Sequence, residues 1–211
     1  MTNPDPALSG VSFALFSSGA NFSCEVLQAL IQKDYRPQLL VLPEYPPADS
    51  GVEADSRLIT ATPQRRLLTL ARGLEIAYAP APQQADFAHL LERRAIDFML
   101  VACWPYLIET RVLARARKAA LNLHPSLLPE YRGPNPLEAQ LAAGDSRFGV
   151  TLHQLDQRFD HGDIIAQAEL ASTVLPQQRA ILEQHCARRG VELFIEAVNG
   201  YPDWNPAAQT A

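Results

Sequence analysis

The chain has 211 residues, 47% hydrophobic and 19% charged, with a net charge of −5. That is enough apolar sequence for one core, and there is no surplus of positive charge for gripping a phosphate backbone. No apolar run approaches the roughly 20 residues that span a bilayer, and residues 1–10 lack the basic flank and apolar stretch of a signal peptide, so the expectation is a cytoplasmic protein with no membrane partner.

Short apolar runs alternate with helical stretches, which predicts an α/β domain: an open, mostly parallel twisted sheet with helices on both faces. Residues 11–16 read as a first strand, followed by the turn Ser17-Ser18-Gly19-Ala20-Asn21 and a helix over 24–33. Residues 38–42 form a second strand, stopped by Pro43, Pro46 and Pro47; the polar stretch 44–60 reads as a long loop. A helix over 63–73, a strand over 75–79 and an amphipathic helix over 83–94 follow, then an apolar central strand over 98–103. Residues 111–118 read as a basic helix and 120–124 as a strand. Residues 149–155 and 164–170 alternate like two strands joined by a turn, and 177–199 has long helical periodicity. One domain over residues 1–200 is expected, with a loosely ordered tail over 201–211.

Three stretches could carry chemistry. The turn at Ser18, Gly19 and Asn21 leaves a strand and enters a helix, where backbone N–H groups and the helix dipole favour an anion; an ordinary turn explains it equally well. Asn122 and His124 lie two apart at the end of a strand, so both side chains point to one face, at the end of the sheet where ligands of α/β proteins bind. Between His153 and Asp163 two histidines sit among three carboxylates. Their spacing fits neither a helical HExxH nor a calcium loop, and Asp160-His161-Gly162-Asp163 reads as a tight turn able to bring a carboxylate to His124. The cysteines Cys24, Cys103 and Cys186 are far apart, form no CxxC pair and support neither a zinc knuckle nor a disulfide framework.

Together, Asn122-Leu123-His124, Ser126-Leu127-Leu128-Pro129 and Asp160-His161-Gly162 resemble the folate-dependent formyltransferases, whose shared pattern is Asn-x-His, a Ser-Leu-Leu-Pro loop and a later Asp-x-Gly loop. The resemblance runs over roughly residues 11–170. His124-Pro125-Ser126 and Ile164-Ile165-Ala166-Gln167 look like the glycinamide ribonucleotide enzymes; Tyr131-Arg132-Gly133, Gly144-Asp145 and Gly149-Val150-Thr151 look more like the methionyl-tRNA enzymes. It implies a Rossmann-like formyltransferase fold, 10-formyltetrahydrofolate as co-substrate, no metal, and a cis peptide at Leu128-Pro129. Asn122, His124 and Asp160 would be catalytic. Trp104, Pro105, Tyr106, Leu107 and Ile108, with Asp156, Gln157, Arg158 and Phe159, would hold the folate. Ser18, Gly19, Asn21, Ser126 and Arg132 would meet the acceptor.

In such a reaction an amine attacks the formyl carbon, and donors aimed at the developing oxyanion lower the barrier. Asn122 would donate through its amide and His124 through its ring, with Asp160 favouring the protonated imidazole. The acceptor is expected to be a small metabolite amine. No counterpart of the tRNA enzymes' C-terminal domain is apparent, the net charge is −5, and no Lys or Arg lies between Val11 and Ile31, all of which disfavour a nucleic-acid partner. Three alternatives stay open: a hydrolase releasing formate from the same carrier, a methionyl-tRNA formyltransferase-like enzyme lacking that domain, and a folate-binding module without turnover.

Overall fold

The computed structural model describes residues 10–43, 63–78, 84–170 and 179–210. The expected loop over 44–60 lies outside them. β1 (Phe13–Ser17), α1 (Asn21–Gln32), β2 (Leu39–Leu42), α2 (Pro63–Leu70), β3 (Glu75–Tyr78) and α3 (Gln84–Arg93) come first. β4 (Phe98–Ala102), α4 (Thr110–Leu113), β5 (Ala119–His124), α5 (Pro136–Ala142), β6 (Gly149–Gln154), β7 (Ile164–Glu169) and α6 (Arg179–Asn199) follow.

The sheet order is β3-β2-β1-β4-β5-β6-β7. β1 to β5 pair in parallel because a long connection separates each from the next; β6 is antiparallel to β5 and β7 to β6. β1, β2 and β4 are buried along their whole length, covered on both faces, which explains their nearly unbroken apolar sequence. Phe13, Leu15, Phe98 and Leu100 point into the core that includes α1 and α6, whereas Ala14, Phe16, Met99 and Val101 point into a second core with α3 and α4. Phe194 of α6 packs on Phe13 with centroids 5.3 Å apart and meets Phe98 edge-on at 6.4 Å. Gly190 lets α6 lie close to the sheet: a Cβ there would stand 3.0 Å from Leu123 and 3.1 Å from Val150.

Chain direction across the sheet reverses between β1 and β4. There the connections leave for opposite sides and open a crevice beyond the strand ends, the place where such sheets bind ligands.

The structure departs from the expected elements in three places. The helix expected over 111–118 ends at Leu113. Beyond it the chain turns back to start β5, and Arg117, Lys118 and Ala119 give their N–H groups to the carbonyls of Ile96 and Asp97. The basic run there is pinned by charge: Lys118 lies 3.2 Å from the Asp97 carboxylate, and Arg115 lies 3.2 Å from that of Glu92. α5 is a helix the sequence pattern does not announce, although Pro136 at its first turn is a helix-start signal. The third departure concerns residues 201–210, which are tied down. The Trp204 indole donates to Ala197 O (2.7 Å), its ring packs on Tyr201 and Phe98, and Ala207 exchanges two backbone hydrogen bonds with Ile164 (2.8 and 2.9 Å). Proline-rich composition suggests looseness, but these anchors are tertiary and leave no local pattern.

Candidate active site

β5 delivers Asn122 and His124 from the same side of the strand, as period-two alternation requires, and both are buried. The turn between β6 and β7 brings Asp160 to them across the sheet end. The Asn122 amide Nδ2 donates to Asp160 Oδ1 at 3.1 Å, and His124 Nδ1 faces the same oxygen at 3.4 Å. The other carboxylate oxygen accepts the Gly133 N–H at 2.9 Å.

His153, on β6 opposite Asn122, completes the cluster and is fully buried. Its Nδ1 lies 2.8 Å from Gln154 O, which can only accept, so Nδ1 carries the ring hydrogen. Nε2 is then the acceptor for Asn122 Nδ2 at 3.0 Å. Both amide hydrogens of Asn122 are thereby engaged, one by Asp160 and one by His153. His153 stood in a segment the sequence marked as rich in titratable groups, but its alternation on a strand beside Asn122 was the only hint of this place.

His124 is fixed at both nitrogens. Nε2 lies 2.8 Å from Tyr131 O and must carry the hydrogen in the neutral ring, leaving the Nδ1 lone pair toward Asp160. Burial holds the His124 pKa below its ordinary value of 6.5, against the upward pull of the Asp160 charge and the Tyr131 carbonyl. For Asp160, burial alone would raise the pKa. The His153 ring 3.4 Å away, the His124 charge and the Gly133 N–H outweigh it and hold the carboxyl below 3.8.

These shifts make stability depend on acid. An imidazole that protonates more easily in the unfolded chain contributes stability that is fully present above pH 6.5 and is lost as the pH falls below it. The Asp160 contribution is present above pH 3.8 and is lost as the pH falls through its lower native value. The melting temperature should therefore drop between pH 7 and pH 5, and His124→Asn should flatten that drop. Equal slopes in the two proteins would remove His124 as the source.

The cluster forms part of the wall of a cavity of about 590 Å³ at the crevice between β1 and β4. One stretch of wall is apolar. Trp104 packs edge-on against Phe16 at 5.2 Å, and Tyr106, Leu107 and Phe159 stand at the rim, 40%, 45% and 50% exposed. Pro105, Ile108, Asp156 and Arg158 also line it. Another stretch is polar: Ser18 from the turn before α1 and Asn21 from its first turn, with Arg179 and the buried Glu183 from α6. Asn21 donates to Glu183, which Arg179 also holds at 3.1 Å. Arg179 and Glu183 were not singled out in the sequence, where they look like any charges on a helix.

Four residues expected here do not line the cavity. Ser126 is fully buried and donates to Glu130 O at 2.7 Å, closing the turn that contains the cis Leu128-Pro129 bond. Gly19 gives its N–H to Ser17 Oγ (3.1 Å), Gln157 reaches out to Thr110 (2.9 Å), and the Arg132 side chain is taken up by Gln209. Among the described residues no group of three or more His, Cys, Asp or Glu is placed to hold a metal, and no helix is long and apolar enough to cross a membrane.

The model of the formyl transferase family matches residues 14–198, from β1 to the last turns of α6. The chain belongs to the formyl transferase family. A methionyl-tRNA formyltransferase from Limosilactobacillus fermentum is 33% identical over 163 residues, 75% of this chain and 49% of that protein. One from Burkholderia cenocepacia is 29% identical over 188 residues, 87% of this chain and 56% of its own length. The chain thus spans about half the length of the curated relatives it matches. Among solved structures, phosphoribosylglycinamide formyltransferase from Streptococcus pneumoniae superposes with a TM-score of 0.63 at 22% identity, covering 90% of this chain and 98% of that one. Glycinamide ribonucleotide transformylase 1 from Symbiobacterium toebii gives 0.65 at 19%, covering 95% and 94%. These structures share the formyltransferase fold with this chain.

Proposed function

We propose that this family member transfers the formyl group of 10-formyltetrahydrofolate to a primary amine. The observation that carries the reading is the convergence of Asn122, His124 and Asp160 at the wall of one cavity whose other stretches are apolar on one side and polar on another. The flat pterin suits the stretch at Trp104–Ile108 with Asp156, Arg158 and Phe159, and the acceptor suits the polar stretch at Ser18, Asn21 and Glu183.

The acceptor nitrogen attacks the formyl carbon, forming a C–N bond and a tetrahedral oxyanion. Asn122 would stabilise that oxygen by exchanging one of its protein acceptors, Asp160 or His153, for it, while the His124 Nε2–H stays on Tyr131 O. His124 Nδ1, facing the Asp160 carboxylate, accepts the proton the amine loses, and Asp160 stabilises the resulting imidazolium. The proton then passes to the folate nitrogen as its bond to carbon breaks.

A small metabolite amine fits the polar stretch of the cavity and the chain's net charge of −5. A second reading, the aminoacyl end of a charged tRNA, is favoured by the names of the sequence relatives. One assay separates them: tetrahydrofolate release measured with amino sugar nucleotides, ribonucleotide amines and charged initiator tRNA, and formate release with no amine. Turnover with a small amine supports the first reading. Formylation of tRNA that falls steeply with added salt supports the second, and formate release alone would make the chain a hydrolase.

A further inference from the structure

We propose that Gln209, near the end of the chain, is a positioning residue that fastens together the two loops holding the His124–Asp160 pair. The inference builds on the formyl-transfer reading above. Gln209 Oε1 accepts from Arg132 Nε (3.0 Å) and Nη2 (2.8 Å), while Nε2 donates to Asp160 O (3.0 Å) and Gly162 O (2.8 Å). One amide thereby joins two loops that are far from it and from each other in sequence.

What flanks each anchor gives the bonds their meaning. Arg132 stands between Tyr131, whose carbonyl receives His124 Nε2, and Gly133, whose N–H donates to Asp160 Oδ2. On the other loop, Asp160 has φ 57°, a left-handed conformation that is uncommon for a residue with a side chain, though less so for Asp than for most. The bonds to its carbonyl and to that of Gly162 help to hold it there. Gln209 therefore holds the backbone on both sides of the imidazole–carboxylate pair without touching either side chain.

The residue type fits the task. The guanidinium needs an acceptor and the two carbonyls need donors, which a primary amide supplies together and a carboxylate does not. The segment leading to it is anchored by Trp204 and by the bridge of Ala207 to Ile164, and residues 205–208 are exposed while Gln209 turns inward.

Gln209→Met keeps side-chain length and removes all four bonds. With 10-formyltetrahydrofolate and the amine found for the parent protein, kcat should fall about 10- to 100-fold, the scale set by small misplacements of catalytic groups. KM for the folate should stay within about threefold, since the loss falls on the reacting geometry and not on uniform binding. Gln209→Glu should behave alike, because it cannot donate to the carbonyls. Adding Arg132→Met should make Gln209→Met little worse, as expected when two residues act through one contact. The second readout is NMR titration of the His124 imidazole, whose midpoint should move in Gln209→Met although the substitution lies outside contact with the ring. Unchanged kcat together with an unchanged titration overturns the inference. So does a loss of melting temperature with both of them intact, which would leave Gln209 a merely structural role. A moved titration in a chain that shows no formyl transfer would overturn the transfer reading and leave the fastening role standing.

Discussion

Asp160→Asn should lower formyl-transfer turnover by at least about 100-fold while the protein stays folded. The carboxylate receives the Asn122 amide at 3.1 Å and the Gly133 N–H at 2.9 Å, and it faces His124 Nδ1 and His153 Nε2 at 3.4 Å each. An asparagine has nearly the same shape but no charge, so an imidazolium at His124 loses its counter-charge in a buried place where that charge matters most. One end of the introduced amide would also be an NH₂ group, set against the Asn122 amide on one side or the Gly133 N–H on the other. The fold should tolerate the change, because the substitution removes a buried charge as well as its bonds. The measurement is kcat for tetrahydrofolate release alongside a thermal melt. Near-normal turnover with the true acceptor would mean that the proton does not pass through the His124–Asp160 pair.

Gly162→Ala should disable the same loop by sterics alone. A Cβ at this position would lie 1.9 Å from Gln154 O and 2.7 Å from Gln154 C, both backbone atoms, so no flexible side chain can yield. The two segments run side by side there, with Gln154 N bonded to Asp163 O at 2.9 Å. The loop must shift, and Asp160 sits two residues away. Overpacking of this kind costs about 1–3 kcal/mol. A shift approaching 1 Å in a catalytic group costs about 100-fold in rate. Urea unfolding should show the first and kcat on the folded fraction the second. Normal values for both would show that the loop has slack the structure does not suggest. The contact also gives a physical reason for glycine in the Asp-x-Gly signature: the loop has no room for a side chain.

Much of the scaffold and half of the site could be read from local pattern. The apolar runs at 13–16 and 98–102 announce strands covered on both faces, because only such strands can be apolar at every position. Asn122 and His124 were bound to share a face once 119–124 was a strand, since alternation is a property of the backbone. What tertiary structure decided is which distant groups meet them. Asp160 reaches Asn122 over 38 residues, His153 over 31, and Gln209 reaches Asp160 over 49. Those meetings depend on the sheet order and on how loops dock, and neither leaves a period in the sequence. For the same reason Ser126 and Arg132, polar residues in a loop beside His124, looked free for a substrate. Folding turned the first onto Glu130 O and the second onto Gln209, because a polar group near a site satisfies its hydrogen bonds with whatever the tertiary fold brings within reach.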